Sequence, residues 1–332
     1  MNKTLYSADI AKNVFQVHYV DEGGATKSLK LSREKFAAFF AGCQPAIVAM
    51  EACATAHYWG RQLAAMGHEV RLLPPTVVKP FVKRGKKNDA ADAAAIHEAV
   101  QRPGTFLVPV KTEEQQAVLA LHTQREALIG ERTRGVNGVR ALFAEFGIIA
   151  PQGIANIANL RGELENLPGH ARVAAESIFR RIENADREIK VIESELMTFH
   201  KTDETSRNLA TIPTVGPLLA TLVAATVGDP SRFKRGRNFA AWLGIVSKQN
   251  SSGGKQRLGR ITKAGNPQIR RLLFLGALST VHRAKPRTWL GELKARKPYK
   301  VTAIALANKT ARMIWAVMSR GEVWRETMPT AA

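Results

Sequence analysis

Seven apolar residues, Ile178, Ile182, Ala185, Ile189, Ile192, Leu196 and Phe199, follow one another at spacings of 4, 3, 4, 3, 4 and 3. An α-helix places such positions on one stripe, and the stripe needs a partner along its whole length. Residues 170–202 are therefore expected as one long helix, and residues 112–146 as a second, more polar one. Pro151, Gly153, Pro168 and Gly169 mark the connection between them. Two partners satisfy the seam: the other helix of the same chain, in a hairpin, or a second copy of the chain, in a coiled-coil dimer. The spacing is the same for both.

The first hundred residues alternate in a different way. Strands are expected over residues 3–9, 14–20 and 25–31, with a turn at Asp21-Glu22-Gly23-Gly24 and a helix from about Ser32. A buried strand, AIVAM, follows Pro45 and ends at Glu51; a helix is expected over 56–66, a strand over 69–73 and a helix over 76–83. The basic loop Lys83-Arg84-Gly85-Lys86-Lys87 then leads to Asn88, a helix cap, and to a helix from Asp89 to about Gln101. This β-β-β-α-β-α-β-α order is that of the ribonuclease H-like fold. Asp9 falls at the end of the first strand and Glu51 at the end of the fourth, while Asp89 and Asp92 share one helix face. Singly, each has an ordinary explanation, such as a strand-end turn or complementing a helix dipole. As a quartet at these positions they are expected to hold two Mg²⁺ ions, hard cations that prefer oxygen ligands.

Charge divides the chain unevenly. The 332 residues carry a net charge of +21, yet residues 230–332 hold 22 basic and 3 acidic side chains, and residues 101–229 hold 14 and 16. From Pro230 to Gly291 there are fourteen Lys and Arg and no Asp or Glu. Such a run repels itself unless it meets a polyanion, so nucleic acid is the expected partner. Its centre, Gln249-Asn250-Ser251-Ser252-Gly253-Gly254-Lys255-Gln256-Arg257, reads as a flexible loop with two hydroxyl nucleophiles among cations. The expected nucleic-acid contacts are Lys83, Arg84, Lys86, Lys87, Arg235, Arg237, Lys248, Lys255, Arg257, Arg260 and Lys263. Residues 209–221 resemble a helix-hairpin-helix turn with Pro217 in place of its second glycine, an αα-corner being the alternative. Trp315, in a final helix over 301–319, is expected in the core. Two cysteines, Cys43 and Cys53, suit a reducing cytosol. The N-terminus lacks the apolar core of a signal peptide, and the longest apolar run, Leu218 to Val227, is too short for a membrane span.

The stretch FAAWLGIVSKQNSSGGKQRLGRITKAGN resembles the C-terminal domain of insertion-sequence-110 family transposases, especially their 1111 subgroup. ADIAKNVFQVH, MEACATAHYW and KKNDAADAAAI are similar to the Asp-Glu-Asp-Asp, RuvC-like domain of that family, and ANKTARMIWAV extends the likeness nearly to the end. The resemblance implies a DNA recombinase guided by a structured, element-encoded bridge RNA that pairs with donor and target DNA. It implies a phosphoserine link to DNA, carboxylate-bound Mg²⁺, and an active site assembled between subunits of a homodimer or homotetramer. By position the carboxylates are Asp9, Glu51, Asp89 and Asp92, and the nucleophile is Ser252, with Ser251 a close competitor. The chain departs at Ser7-Ala8, where Gly and a large apolar residue are usual, and at Ser247, where proline is usual. The first departure is expected to loosen strand packing beside the metals.

The expected architecture is α/β plus α: a RuvC-like domain over 1–110, a coiled-coil helical segment over 111–205, and a basic helical transposase domain over 206–332. The expected setting is the bacterial-type cytoplasm, on the nucleoid. Two rivals share these features: a junction-resolving nuclease that activates water, and a non-catalytic nucleic-acid-binding protein.

Overall fold

The first sheet begins with strands whose alternate residues are wholly buried. In the computed structural model, which describes residues 3–82, 89–250, 252–255 and 257–325, the chain divides into two units, residues 1–114 and 115–332.

Unit one is built on a five-stranded mixed sheet. Its strands are β1 (Leu5–Ile10), β2 (Val14–Val20), β3 (Thr26–Ser32), β4 (Ile47–Glu51) and β5 (Glu69–Leu73), in the order β3-β2-β1-β4-β5. The first three form an antiparallel meander; β4 and β5 join parallel to β1. Alternation sends Ala8, Ile10, Phe15, Val17, Val48 and Met50 to one face. There α1 (Arg33–Ala41) and α2 (Ala56–Ala65) cover them with Phe36, Phe40, Trp59 and Leu63. Phe15, Phe36 and Trp59 meet edge to face at 4.7 to 5.2 Å, an arrangement the ring quadrupoles favour. The other face is covered by α3 (Pro75–Val78), a single 3₁₀ turn (Lys79–Phe81) and α4 (Asp89–Val100), around Ala49, Leu73, Val78, Ala95 and Ile96. The helix expected over 76–83 is thus shorter, since Pro80 removes a donor within it.

Unit two begins in α5 (Glu113–Ala144) and returns through α6 (Ile157–Gly162) into α7 (Gly169–Thr202). Here the seam finds its partner. Ile182, Ala185, Ile189, Ile192 and Leu196 are 1 to 7% exposed, packed with Val118, Leu128 and Val136 of α5. Arg125 pairs with Glu193 at 2.6 Å and Arg132 with Asp186 at 2.7 Å, while Gly135 lies against Ile182. As one number rises the other falls, so α5 and α7 form an antiparallel hairpin within the chain. Of the two partners the spacing allows, α5 of the same chain lies along the seam.

The remaining helices are α8 (Glu204–Ala210), α9 (Pro217–Val227), α10 (Gly236–Trp242), α11 (Pro267–His282), α12 (Trp289–Arg296) and α13 (Tyr299–Arg320). The turn between α8 and α9 is an interior corner. Ile212 and Val215 are buried, Thr214 Oγ1 lies 3.0 Å from Thr310 Oγ1, and the Thr214 carbonyl presses on Gly276. Trp315, expected in the core, is half-buried and donates its indole N–H to the Phe233 carbonyl at 3.1 Å. No described helix is long and apolar enough to cross a membrane.

Candidate catalytic and nucleic-acid sites

The β1–β4 register pairs Leu5 with Ile47 through Ala8 with Met50. One further step sets Asp9 beside Glu51, so two half-buried carboxylates share one strand-end edge. Cys53 senses both: burial, then the negative charges of Glu51 and Asp9, push its thiol pKa up. Asp9 points to the same sheet face as Ser7, two residues before it. Ser7 is wholly buried, with Oγ 3.2 Å from His97 Nδ1 on α4. The His97 ring meets His18 of β2 at 5.0 Å, and burial lowers the pKa of both imidazoles. The Ser7-Ala8 departure was expected to loosen the packing beside Asp9, yet both residues are wholly buried. The Ser7 hydrogen bond ties α4 to β1.

That tie matters because α4 opens with Asp89, exposed, and Asp92, half-buried. The structure thus gathers Asp9 and Glu51 and places Asp89 and Asp92 on the helix packed over the same face. Among the described residues, no three of His, Cys, Asp and Glu stand close enough together to hold a metal ion. The donor set itself, carboxylate oxygen throughout, suits a hard cation such as Mg²⁺. Lys83, Arg84, Lys86, Lys87 and the cap Asn88 lie outside the described residues.

In unit two the stretch around the serines is a β-hairpin where a flexible loop was expected. Strands β6 (Ser247–Gln249) and β7 (Leu258–Ile261) pair antiparallel with a bulge, and Asn250 N–H extends the ladder to the Arg257 carbonyl at 2.9 Å. At the tip, Ser252 bridges Lys255, whose N–H donates to the Ser252 carbonyl at 3.1 Å. Gly253 and Gly254 have φ of 54° and 74°. Two consecutive positive φ values define a type I′ turn, whose twist matches that of the strands it joins. Ser252 is the first residue of that turn, exposed, with open space where either glycine would carry a Cβ. The Gly-Gly pair was the overlooked hairpin signal. Ser251 lies outside the described residues. Lys248, Lys255, Arg257, Arg260 and Lys263 are all exposed, as are Arg235 and Arg237 at the start of α10.

The hairpin root is locked. Gly244 and Gly265 sit so close to facing backbone that a Cβ would fall 2.4 Å from Ala264 N and 2.1 Å from Trp242 O. Lys263 holds a left-handed φ of 57° and donates its N–H to the Gly244 carbonyl at 3.0 Å. Arg270 Nη1 donates to the carbonyls of Leu243 and Gly265 at 3.1 and 2.8 Å, and Asn308 Nδ2 to Ile245 O at 3.2 Å. Asn266 caps α11, accepting from Gln268 N and Ile269 N. We expect Gly265→Ala to destabilise unit two by about 3 kcal/mol, because rigid backbone must move to admit a methyl group. Urea unfolding followed by circular dichroism measures this; a wild-type midpoint would show that the root is not tightly packed.

Comparison with known proteins bears on both sites. A family profile described as "Transposase IS116/IS110/IS902 family" matches residues 206–290, which include the hairpin, and a second transposase profile, of the DEDD type, matches residues 7–148. The transposase for insertion sequence element IS1328 of Yersinia enterocolitica is 39% identical over 97% of this chain and 99% of its own length. The transposase for insertion sequence element IS1111A of Coxiella burnetii is 36% identical over 97% of this chain and 91% of its own. The chain belongs to this family of insertion-sequence transposases.

For a transposase, the surface that the sequence left unremarked is α12 and its approach. Arg283, Lys285, Arg287, Lys294, Arg296, Lys297 and Lys300 are all exposed there, around a single acid, Glu292. No residue of α12 is buried, so the helix has no apolar stripe by which periodicity could have found it. A DNA partner for the transposase follows from its family, and this basic surface has the matching charge.

Proposed function

We propose that this transposase is an RNA-guided recombinase that joins itself to DNA through Ser252. The carrying observation is the type I′ turn, which presents an exposed hydroxyl beside two glycines with open space around them, on a hairpin flanked by Lys248, Lys255 and Arg257. A phosphate needs that clearance, and the cations stabilise the charge that develops as it is attacked. Ser252 Oγ forms a bond to phosphorus, the bond from phosphorus to one bridging DNA oxygen breaks, and the serine proton ends on the departing hydroxyl. The phosphodiester energy is kept in the serine ester, and attack by a second DNA hydroxyl reverses the step and rejoins strands without ATP.

Unit one is read as ribonuclease H-like, from its sheet order and from the carboxylates at adjacent strand ends. Asp9, Glu51, Asp89 and Asp92 are the residues that would hold Mg²⁺. Mg²⁺ held there would lower the pKa of an attacking hydroxyl and neutralise charge on phosphate oxygens. Protonated Lys248, Lys255 and Arg257 donate hydrogen bonds but take no proton, so they orient the phosphate and leave deprotonation to another group. Choice of sequence is assigned to base pairing by a structured element RNA, leaving the protein backbone contacts. The working assembly is a homodimer or homotetramer, acting on nucleoid DNA in the cytoplasm.

Incubating purified transposase with labelled donor DNA, target DNA, Mg²⁺ and the element's RNA should give a protein–DNA adduct that protease removes on a denaturing gel. Free ends without adduct would favour a nuclease that activates water. Specific recombination by RNA-free protein would reject guidance.

A further inference from the structure

Beside the hairpin root lies an open groove of about 850 Å³ that the proposed strand-transfer step does not use. Ile245, Ile261 and Ile304 form its apolar lining, Trp289 contributes an aromatic wall, and Lys309 and Arg312 supply cations. Ser247 and Ile261, in the hairpin strands, line it too, so groove and hairpin are continuous. Ligand sites of this volume, apolar with a few charged groups, take a nucleotide-sized molecule.

Trp289 is built into place although it is 44% exposed. It is the first residue of α12, after Thr288, whose Oγ1 accepts from Gly291 N at 3.1 Å and donates to the Lys285 carbonyl at 2.7 Å. Arg287 takes a left-handed φ of 62°, and Gly291 lies against the Lys285 carbonyl, where a Cβ would fall 2.1 Å from the oxygen. Lys309 Nζ stands 4.6 Å from the ring centroid. A turn this constrained, spent on an exposed aromatic side chain, fits a stacking platform better than a chance surface residue.

We propose that this groove receives one unpaired nucleobase of the DNA strand engaged by the hairpin, stacked on Trp289 with its phosphates on Lys309, Arg312 and the cations of α12. Charge selects the ligand: residues 230–332 hold 22 basic and 3 acidic side chains, so an apolar peptide or a second copy of this face would bring like charge or none. Position selects the strand. Ser247, in the groove wall, is five residues from Ser252, a chain reach of at most roughly 17 Å at about 3.3 Å per residue. At about 3.4 Å per nucleotide the held base lies within about five nucleotides of the attacked phosphate. Stacking reads any base by its face, so the groove holds the strand open and leaves sequence choice to other interactions.

The inference rests on the reading of Ser252 only for the choice of strand, and its test needs no strand transfer. Fluorescence anisotropy compares intact single-stranded DNA, tethered to a short duplex that limits sliding and fixes its register, with the same oligonucleotide carrying one abasic site, moved along its length. Trp289→Ala should weaken binding of intact DNA roughly 5- to 150-fold, and Trp289→Phe much less. One abasic position should reproduce that loss on wild type and cause no further loss on Trp289→Ala. Equal affinities for wild type and Trp289→Ala, an equal penalty on every abasic oligonucleotide, stronger binding of the matching RNA than of DNA, or a change in oligomeric state without a change in affinity would each overturn the proposal. If Trp289→Ala melts early, the abasic scan on wild type together with Trp289→Phe decides it. Failure to form an adduct would leave these binding results standing, and normal adduct with unchanged affinities would overturn the groove alone.

Discussion

Ser252→Ala is expected to abolish the protein–DNA adduct, a drop of at least about a thousandfold, because its Oγ is the only hydroxyl among the described residues of the turn, 252–255. The hairpin should survive, since its geometry belongs to Gly253, Gly254 and the ladder from Ser247 to Ile261. DNA binding should therefore persist, held by the surrounding cations. Asp9→Ala is expected to abolish the adduct too, though it lies in the other unit, because a neutral serine needs help to lose its proton. Mixing the two inactive variants restores adduct if different copies supply the two groups. The readout is labelled DNA on a denaturing gel. Adduct from Ser252→Ala but not from Ser251→Ala would move the nucleophile by one residue. Free ends with both serine variants would transfer the chemistry to water.

Ile189→Asp is expected to cost unit two at least about 4 kcal/mol. The isoleucine is 6% exposed between α7 and α5, so the change removes about 1.5 to 3 kcal/mol of apolar burial and adds a carboxylate where the flanking cations, Arg125 and Arg132, are already paired with Glu193 and Asp186. Ile189→Leu should cost less than about 1.5 kcal/mol. Urea unfolding of the full chain separates the two. If Ile189→Asp unfolds at the wild-type midpoint and instead changes the mass measured by light scattering, the seam lies between copies and the intrachain hairpin is wrong.

The two sites differ in how far they could be read from residues. In unit one, local signals agreed with the final structure: alternation gave the strands, turn residues separated them, and the acids fell at strand ends. That is why Asp9 and Glu51 are legible as strand-end acids from the residues alone, while their adjacency comes from the β1–β4 register. Ser7-Ala8 misled, because a departure from the family's pattern looks disruptive until the partner of Ser7, His97, ninety residues on, is seen. In unit two, Gly253-Gly254 has the composition of a connector and the conformation of a type I′ turn, and the root that makes it a hairpin comes from Gly265, Arg270 and Asn308, which are distant in sequence.

By itself the sequence determined the order of strands and main helices in unit one, the one-signed charge of the C-terminal third and the need for a partner along Ile178–Phe199, because period, charge and turn chemistry are local properties. Only the tertiary structure decided that α5 is that partner, that the serine stands on a hairpin and that Trp289 faces a groove. A stripe of apolar residues specifies burial without specifying what buries it, and an exposed tryptophan acquires a meaning only from the residues that the fold brings beside it.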